Sequence, residues 1–327
     1  MIIKKVFCLL LTGIFSVLLL SSCSNEKAAN KDTVIVFHAG SLSVPMKTIK
    51  KEYCKKYPEK KVITNAAGSR TCARDIVDLH EQCDVFLSAD YSVINQLLIP
   101  GSASWCIKFA TNEMAIVYTD KSKYANEINK KNWYDILLKK DVVIGRSNPN
   151  DDPCGYCALV VMQLSEIYYK VPKLADELKA KKNTQIMRPK ETDLLYLLES
   201  GNIDYIFLYK SIAKQHNLKY VSLPPQINLG NPKYTGYYKQ AKVKLTGKKP
   251  GTFIERRGAP IIYGLTIPKN APNPKLAENF IEFVLNKNEG LKILKEDGQD
   301  SAVPSYSKTY TEIPNVLKKY AKKSSAE

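Results

Sequence analysis

Three strand–loop–helix units in a row open the body of this chain, and they leave little choice of architecture. Thr33-Val-Ile-Val-Phe37 is a β-branched run ending in His38-Ala-Gly-Ser-Leu42, followed by a helical pattern to about Tyr57. Lys61-Val-Ile-Thr64 repeats the form, ending in Asn65-Ala-Ala-Gly-Ser-Arg70 and leading into a helix through about Leu79. Asp84-Val-Phe-Leu-Ser88 is the third strand, with Ala89-Asp90-Tyr91 and another helix behind it. Strands separated by helices must cross over to pair, so the expectation is a parallel sheet covered by helices. Ligands on such sheets sit beyond the carboxyl ends of the strands, where both Gly-Ser loops fall.

Glu113-Met-Ala-Ile-Val-Tyr-Thr119 then reads as a crossover strand into a second lobe. That lobe contains the strand Asp141-Val-Val-Ile-Gly145, a helix opened by Asp152-Pro153-Cys154-Gly155, a helix opened by Glu191, and the strand Asp204–Tyr209. Near Leu223 the texture changes: Pro224-Pro225, Asn228–Gly236 and a Lys-rich stretch to Gly251 predict a connection with hairpin character. Pro260–Ile267 is an apolar strand. Ala277, Phe280, Ile281, Val284 and Leu285 follow at helical spacing on one face. The expected fold is α/β, with mostly parallel sheets flanked by helices and a ligand cleft between two lobes. Residues 32–115 form the first part of lobe one, 116–223 lobe two, and 224–327 the connection and return to lobe one.

Lys4 and Lys5 precede an apolar run, Val6–Leu20, too short for a comfortable membrane span, and Leu20-Ser21-Ser22-Cys23 resembles a bacterial lipoprotein cleavage box. The expectation is a signal peptide over 1–22, lipidation at Cys23, and a polar tether over 23–31 leading to a body exported to the periplasm or cell exterior. Six cysteines remain: Cys54, Cys72, Cys83, Cys106, Cys154 and Cys157. In an exported protein an even number favours disulfides, with fifteen connectivities open. The formal net charge is +17, two less without Lys4 and Lys5. Its lysines are dispersed, and no zinc-finger, helix-turn-helix or RNA-platform motif accompanies them. Nucleic acid is therefore not an expected partner; steering of a small anion is.

The acidic helix starts say more. Free N–H groups at a helix start make an anion site, yet Asp152 and Glu191 would each place a negative charge beside the bound anion. The conflict resolves if each carboxylate bonds to something electropositive inside the anion, which points to an oxyanion with a large, hard, high-valent metal at its centre. Capping and dipole pairing are the plainer roles for both acids.

Here the chain resembles a family. His38-Ala-Gly-Ser-Leu42, Ala67-Gly-Ser69, Ser88-Ala-Asp-Tyr91, Asn112-Glu-Met114, Asp152-Pro-Cys-Gly-Tyr156, Arg188-Pro-Lys-Glu-Thr-Asp-Leu194, Tyr209-Lys-Ser211 and Gln215-His216 are similar to motifs of the tungstate/molybdate-binding component of ABC importers, archaeal-type tungstate-binding branch. The likeness runs from about Val34 to Leu291. It implies a two-lobe periplasmic-binding-protein fold of the second type that closes on tungstate or molybdate and delivers it to a permease and, through that, its ATPase. It further implies a monomer without cofactor or catalytic residues. Position by position, the resemblance assigns oxyanion contacts to Gly40, Ser41 and Ser69 in lobe one. In lobe two it assigns them to Asp152, Pro153, Cys154, Glu191 and Tyr209, with Asp152 and Glu191 completing an octahedron around tungsten or molybdenum. The chain departs from that branch in a short segment between Lys173 and Arg188, and in Cys157 where the branch usually has arginine. His38 and His216 are expected to be structural, Asp90-Tyr91 and Asn112-Glu113 to shape the lobe interface and hinge, and Arg70 and Arg188 to raise the local potential. The competing readings are a carrier of another anion (sulfate, phosphate or iron-carbonate), a two-carboxylate glycosidase, or an adhesin or structural lipoprotein. Only Trp105 and Trp133 exist for sugar stacking, and no nucleophile elbow, Walker loop or zinc motif is present.

Overall fold

The computed structural model describes residues 31–181 and 185–324; the expected signal peptide, Cys23 and all of the tether except Lys31 lie outside the described residues. β1 (Thr33–Ala39), β2 (Lys61–Ala67) and β3 (Val85–Ser88) pair in parallel as the alternation predicts, in the order β2-β1-β3. Helix α1 (Ser43–Lys56) makes the first crossover and α2 (Ser69–Val77) the second. The branched residues Val34 and Val36 of β1 are buried in one core with Met46 and Ile49 of α1, while Phe37 faces a second cluster with Cys72, Ala73 and Ile76 of α2. Alternation along one strand thus feeds a core on each face of the sheet.

The sequence reading missed β4 (Ile107–Thr111), a short strand interrupted by Lys108. After Asn112-Glu113 the chain enters β5 (Met114–Tyr118), already in the second sheet, so the lobes change a few residues before the expected boundary at 115/116. That sheet also contains β6 (Ile144–Ser147), β7 (Gln185–Arg188), β8 (Tyr205–Tyr209) and β9 (Lys219–Ser222), in the order β7-β6-β8-β5-β9. Helix α3 (Pro153–Tyr169) packs on it, and α4 (Lys210–Gln215) follows β8. The connection is a hairpin, β10 (Lys242–Thr246) with β11 (Phe253–Arg257). β12 (Ile262–Thr266) then inserts between β3 and β4, and α5 (Pro274–Val284) buries Ala277, Phe280, Ile281 and Val284, the predicted face.

Most strands of each sheet run in one direction, as expected, and antiparallel strands join them, so both sheets are mixed. A strand arriving directly from the other lobe must enter at the cleft end, which is the carboxyl end of the parallel strands, and so runs against them. β5 begins with Met114 opposite Tyr209, the last residue of β8, and β12 meets β3 antiparallel with Gly264 opposite Ser88, the last residue of that strand. The expected disulfides are corrected, because all six cysteines are free. Cys72, Cys83, Cys106, Cys154 and Cys157 are buried among core side chains, and Cys54 is half-buried. Burial lifts the Cys72 and Cys106 thiols to about 12, so they behave as small apolar residues. Finally, Glu191 opens a 3-10 turn (Glu191–Leu194) and then a short α segment (Leu195–Glu199), not one regular helix.

Candidate functional site

The carboxyl ends of the two sheets face each other, and the predicted residues meet there. β1 ends in a 3-10 turn, Gly40–Leu42; α2 begins at Ser69; Asp152 caps α3 with Pro153 in its first turn; Glu191 starts its 3-10 turn; Tyr209 ends β8. Gly40, Ser41, Ser69, Asp152, Pro153, Cys154, Glu191 and Tyr209 are all buried.

Asp152 performs the plainer role assigned to it. Its Oδ1 accepts from Cys154 N at 3.0 Å, capping α3, and its Oδ2 accepts from Glu191 N at 3.0 Å, fixing the second acidic segment against the first. Burial pushes its pKa up, opposed by those hydrogen bonds. Glu191 is different. It is fully buried, and neither carboxylate oxygen has a hydrogen-bond partner among the described residues. Burial first, and the neighbouring Asp152 carboxylate second, push its pKa well above the usual carboxylate range. An unpaired buried carboxylate is strongly unfavourable unless it takes a proton or meets positive charge. Its oxygens press on the first-lobe turn: a Cβ built on Gly40 would lie 2.8 Å from Oε2 and 2.9 Å from Oε1. Only glycine lets that carboxylate and the turn share the space.

Two further buried hydroxyls without partners belong to Tyr209 and to Ser147 at the end of β6, a residue the sequence reading passed over because a lone serine after a strand carries no signal. The two predicted serines do have partners. Ser69 Oγ accepts from Ala89 N at 3.0 Å, and Ser41 Oγ lies 2.8 Å from Tyr263 Oη. Cys154 donates its thiol to Phe207 O at 3.7 Å, so its side chain serves the core and only its backbone reaches the site. His38 Nδ1 donates to Ala39 O at 2.8 Å, and burial lowers its pKa to about 4.

The lobes are latched at three places around this centre. Asp151 O accepts from Arg70 N and Thr71 N at 3.0 and 3.2 Å, capping α2 across the cleft. Arg70 is buried, with its guanidinium on Asn150 O and Thr246 O, so it latches the lobes beside the centre. Arg188 is exposed, and its guanidinium donates to Met187 O. Asp90 joins the lobes as its predicted interface role requires: Oδ2 accepts from Tyr156 Oη at 2.6 Å and from Arg256 Nη2 at 2.7 Å. Burial alone would raise the Asp90 pKa, but Arg256, Tyr156 and the Ser92 N–H outweigh it and hold the group below its ordinary value. A carboxylate held low stabilises the fold above the ordinary range, and that contribution is lost as pH falls through the lowered value. Tyr156→Phe is therefore expected to cost about 1.5–3 kcal/mol, the worth of a hydrogen bond to a charged group, and to move the onset of acid unfolding upward in pH. Urea unfolding as a function of pH measures both.

Two α/β lobes joined by crossing segments, closed over a buried polar centre, define the periplasmic-binding-protein architecture. Residues 34–299 match the bacterial extracellular solute-binding protein family, and the chain belongs to it. It is 49% identical over 289 aligned positions to an uncharacterized solute-binding protein of Petrotoga mobilis, covering 88% of this chain and 90% of that one. It is 39% identical over 340 aligned positions to the molybdate/tungstate-binding protein WtpA of Thermococcus kodakarensis, covering 94% of this chain and 93% of that one. Among solved structures, the periplasmic molybdate-binding protein of Azotobacter vinelandii shares the fold, with a TM-score of 0.57 at 17% identity over 81% of this chain and 98% of that one.

Proposed function

We propose that this chain captures tungstate or molybdate outside the cytoplasm and delivers it to the permease of an ABC importer, and through it to the ATPase. The protein is a carrier and not an enzyme, needs no resident cofactor, works as a monomer, and is held at the membrane by lipid on Cys23. One observation carries the reading: the Glu191 carboxylate is buried, unpaired and pressed between Gly40 and Asp152. A simple tetrahedral dianion would be repelled there. Tungsten(VI) and molybdenum(VI) can add hard oxygen ligands to their oxo groups and turn the same carboxylate into an attraction, which sulfur(VI) and phosphorus(V) cannot do. In this reading Glu191 and Asp152 bond the metal. The oxo groups take hydrogen bonds from the Gly40-Ser41 turn, Ser69, the Pro153-Cys154 helix start and Tyr209. The chain's kinship with relatives named for molybdate and tungstate supports the same ligand class. A glycosidase would need its two acids apart across an open groove, whereas Asp152 and Glu191 are joined by a hydrogen bond inside the closed centre.

The test is calorimetric titration with tungstate, molybdate, sulfate and phosphate. One-to-one binding of tungstate or molybdate, far tighter than sulfate, is expected. Sulfate within tenfold of tungstate, about 1.4 kcal/mol, overturns coordination by carboxylate.

A further inference from the structure

We propose that Asn112 and Tyr263 are positioning residues that fix the Ser41 hydroxyl as a hydrogen donor to the bound oxyanion. The inference rests on the tungstate/molybdate reading above and deepens it by assigning a direction to one contact. Asn112 lies on the crossover between β4 and β5, and its Oδ1 accepts from Glu113 N at 2.9 Å, which turns its amide nitrogen inward. The two hydrogens on that nitrogen go to Tyr263 Oη at 2.9 Å and to Ser211 Oγ at 2.8 Å. Tyr263 Oη therefore accepts, and its own hydrogen needs an acceptor. Ser41 Oγ, 2.8 Å away, is the partner it has. If Ser41 donated instead, the phenol hydrogen would be buried with no acceptor among the described residues, in a side chain with no exposure. Burial pushes the Tyr263 pKa up, so the hydrogen stays on the phenol.

Ser41 Oγ thus receives, and its hydrogen becomes the free end of the chain Asn112→Tyr263→Ser41. Gln299 Nε2 holds the turn itself by donating to Ser41 O at 2.9 Å. Ser69 has the same polarity by a shorter route, because Ala89 N occupies its oxygen. Two serines whose hydroxyl hydrogens are left free to donate suit an anion whose oxygens carry no hydrogen, and a chain of polarised donors makes the last one stronger than a lone hydroxyl. The three residues of the chain come from places that sequence spacing does not connect: the crossover, β12 and the turn after β1.

A double-mutant cycle on tungstate affinity, measured by calorimetry, tests the relay. Tyr263→Phe keeps the ring and removes the hydroxyl that links Asn112 to Ser41; it is expected to weaken tungstate binding about three- to tenfold, the range for one neutral hydrogen bond. In a Ser41→Ala background the same change should cost less than about twofold, because the hydroxyl it orients is gone. A merely structural role for Tyr263 would give the same loss in both backgrounds, and that result, or no loss in either, overturns the relay while the carrier reading stands. Absence of tungstate binding by the unmodified protein overturns the carrier reading and the relay with it. If Tyr263→Phe does not fold, Asn112→Ala is taken through the same cycle with the same two expectations.

Discussion

Glu191→Gln is expected to make the ligand-free protein more stable and to weaken tungstate or molybdate binding by more than about a hundredfold, roughly 3 kcal/mol or more. The two effects have one origin. Glu191 is buried with both oxygens unpartnered beside Asp152, and its pKa stands well above its ordinary 4.5. A group whose folded pKa is raised stabilises the fold fully below the unfolded value, and that contribution is lost as pH rises through the folded value. The neutral amide removes this liability. Its advantage in the ligand-free state should therefore grow as pH rises above the ordinary carboxylate range and vanish at acid pH. Ligand binding reverses the sign, because a metal centre takes the ionised carboxylate. Binding should then release a proton wherever the free protein holds Glu191 protonated, and affinity should rise with pH through that range. Thermal unfolding against pH, and calorimetry in buffers of different ionisation enthalpy, measure these quantities. Tighter tungstate binding by the glutamine variant would mean the carboxylate only repels the anion, and coordination would be ruled out.

The parts of the fold that were legible in the sequence are those governed by local pattern. β1, β2, β3 and α5 each carry their own periodicity, and their β-branched runs and apolar face became strands and a buried helix stripe. β4 was not legible, since Lys108 and Thr111 interrupt a five-residue strand held by pairing with β12, more than 150 positions away in the chain. The mixed direction of both sheets likewise comes from where the chain crosses between lobes, which no local window records. At the candidate centre, motif and family resemblance located the eight residues that the closed lobes bring together. What they could not show is how the roles divide. Asp152 has both oxygens on backbone N–H groups, whereas Glu191 has neither oxygen paired, a difference invisible in two acids that each begin a helical turn. The partners that arrange the centre, Tyr263, Ser211, Gln299 and Arg256, are scattered along the chain as ordinary polar residues. They gain meaning only from the distances between them.

Gly68→Val is expected to hold the lobes apart and to reduce tungstate affinity by roughly 3–5 kcal/mol, without replacing any residue proposed to contact the ligand. Gly68 precedes α2 with φ −58°, a value any residue adopts, so the requirement for glycine is not conformational. It is a matter of space. A Cβ at this position would overlap the Asp151 carbonyl and come within 3.1 Å of Asp152 Cβ. The Asp151 carbonyl is part of the same segment that caps α2 through Arg70 N and Thr71 N and that carries Asp152 into the centre. A branched side chain must therefore drive the 148–152 segment away from α2. The overlap contributes the usual strain of overpacking, and the two lost backbone hydrogen bonds add about 1 kcal/mol each. Each lobe keeps its own sheet, so the unliganded variant should retain its helix and strand content while populating an open form. Small-angle scattering should show a larger radius of gyration that tungstate no longer reduces, and calorimetry should show the weakened binding. Unchanged affinity with a scattering profile like that of the unmodified protein would show that the two lobes do not need this approach to close.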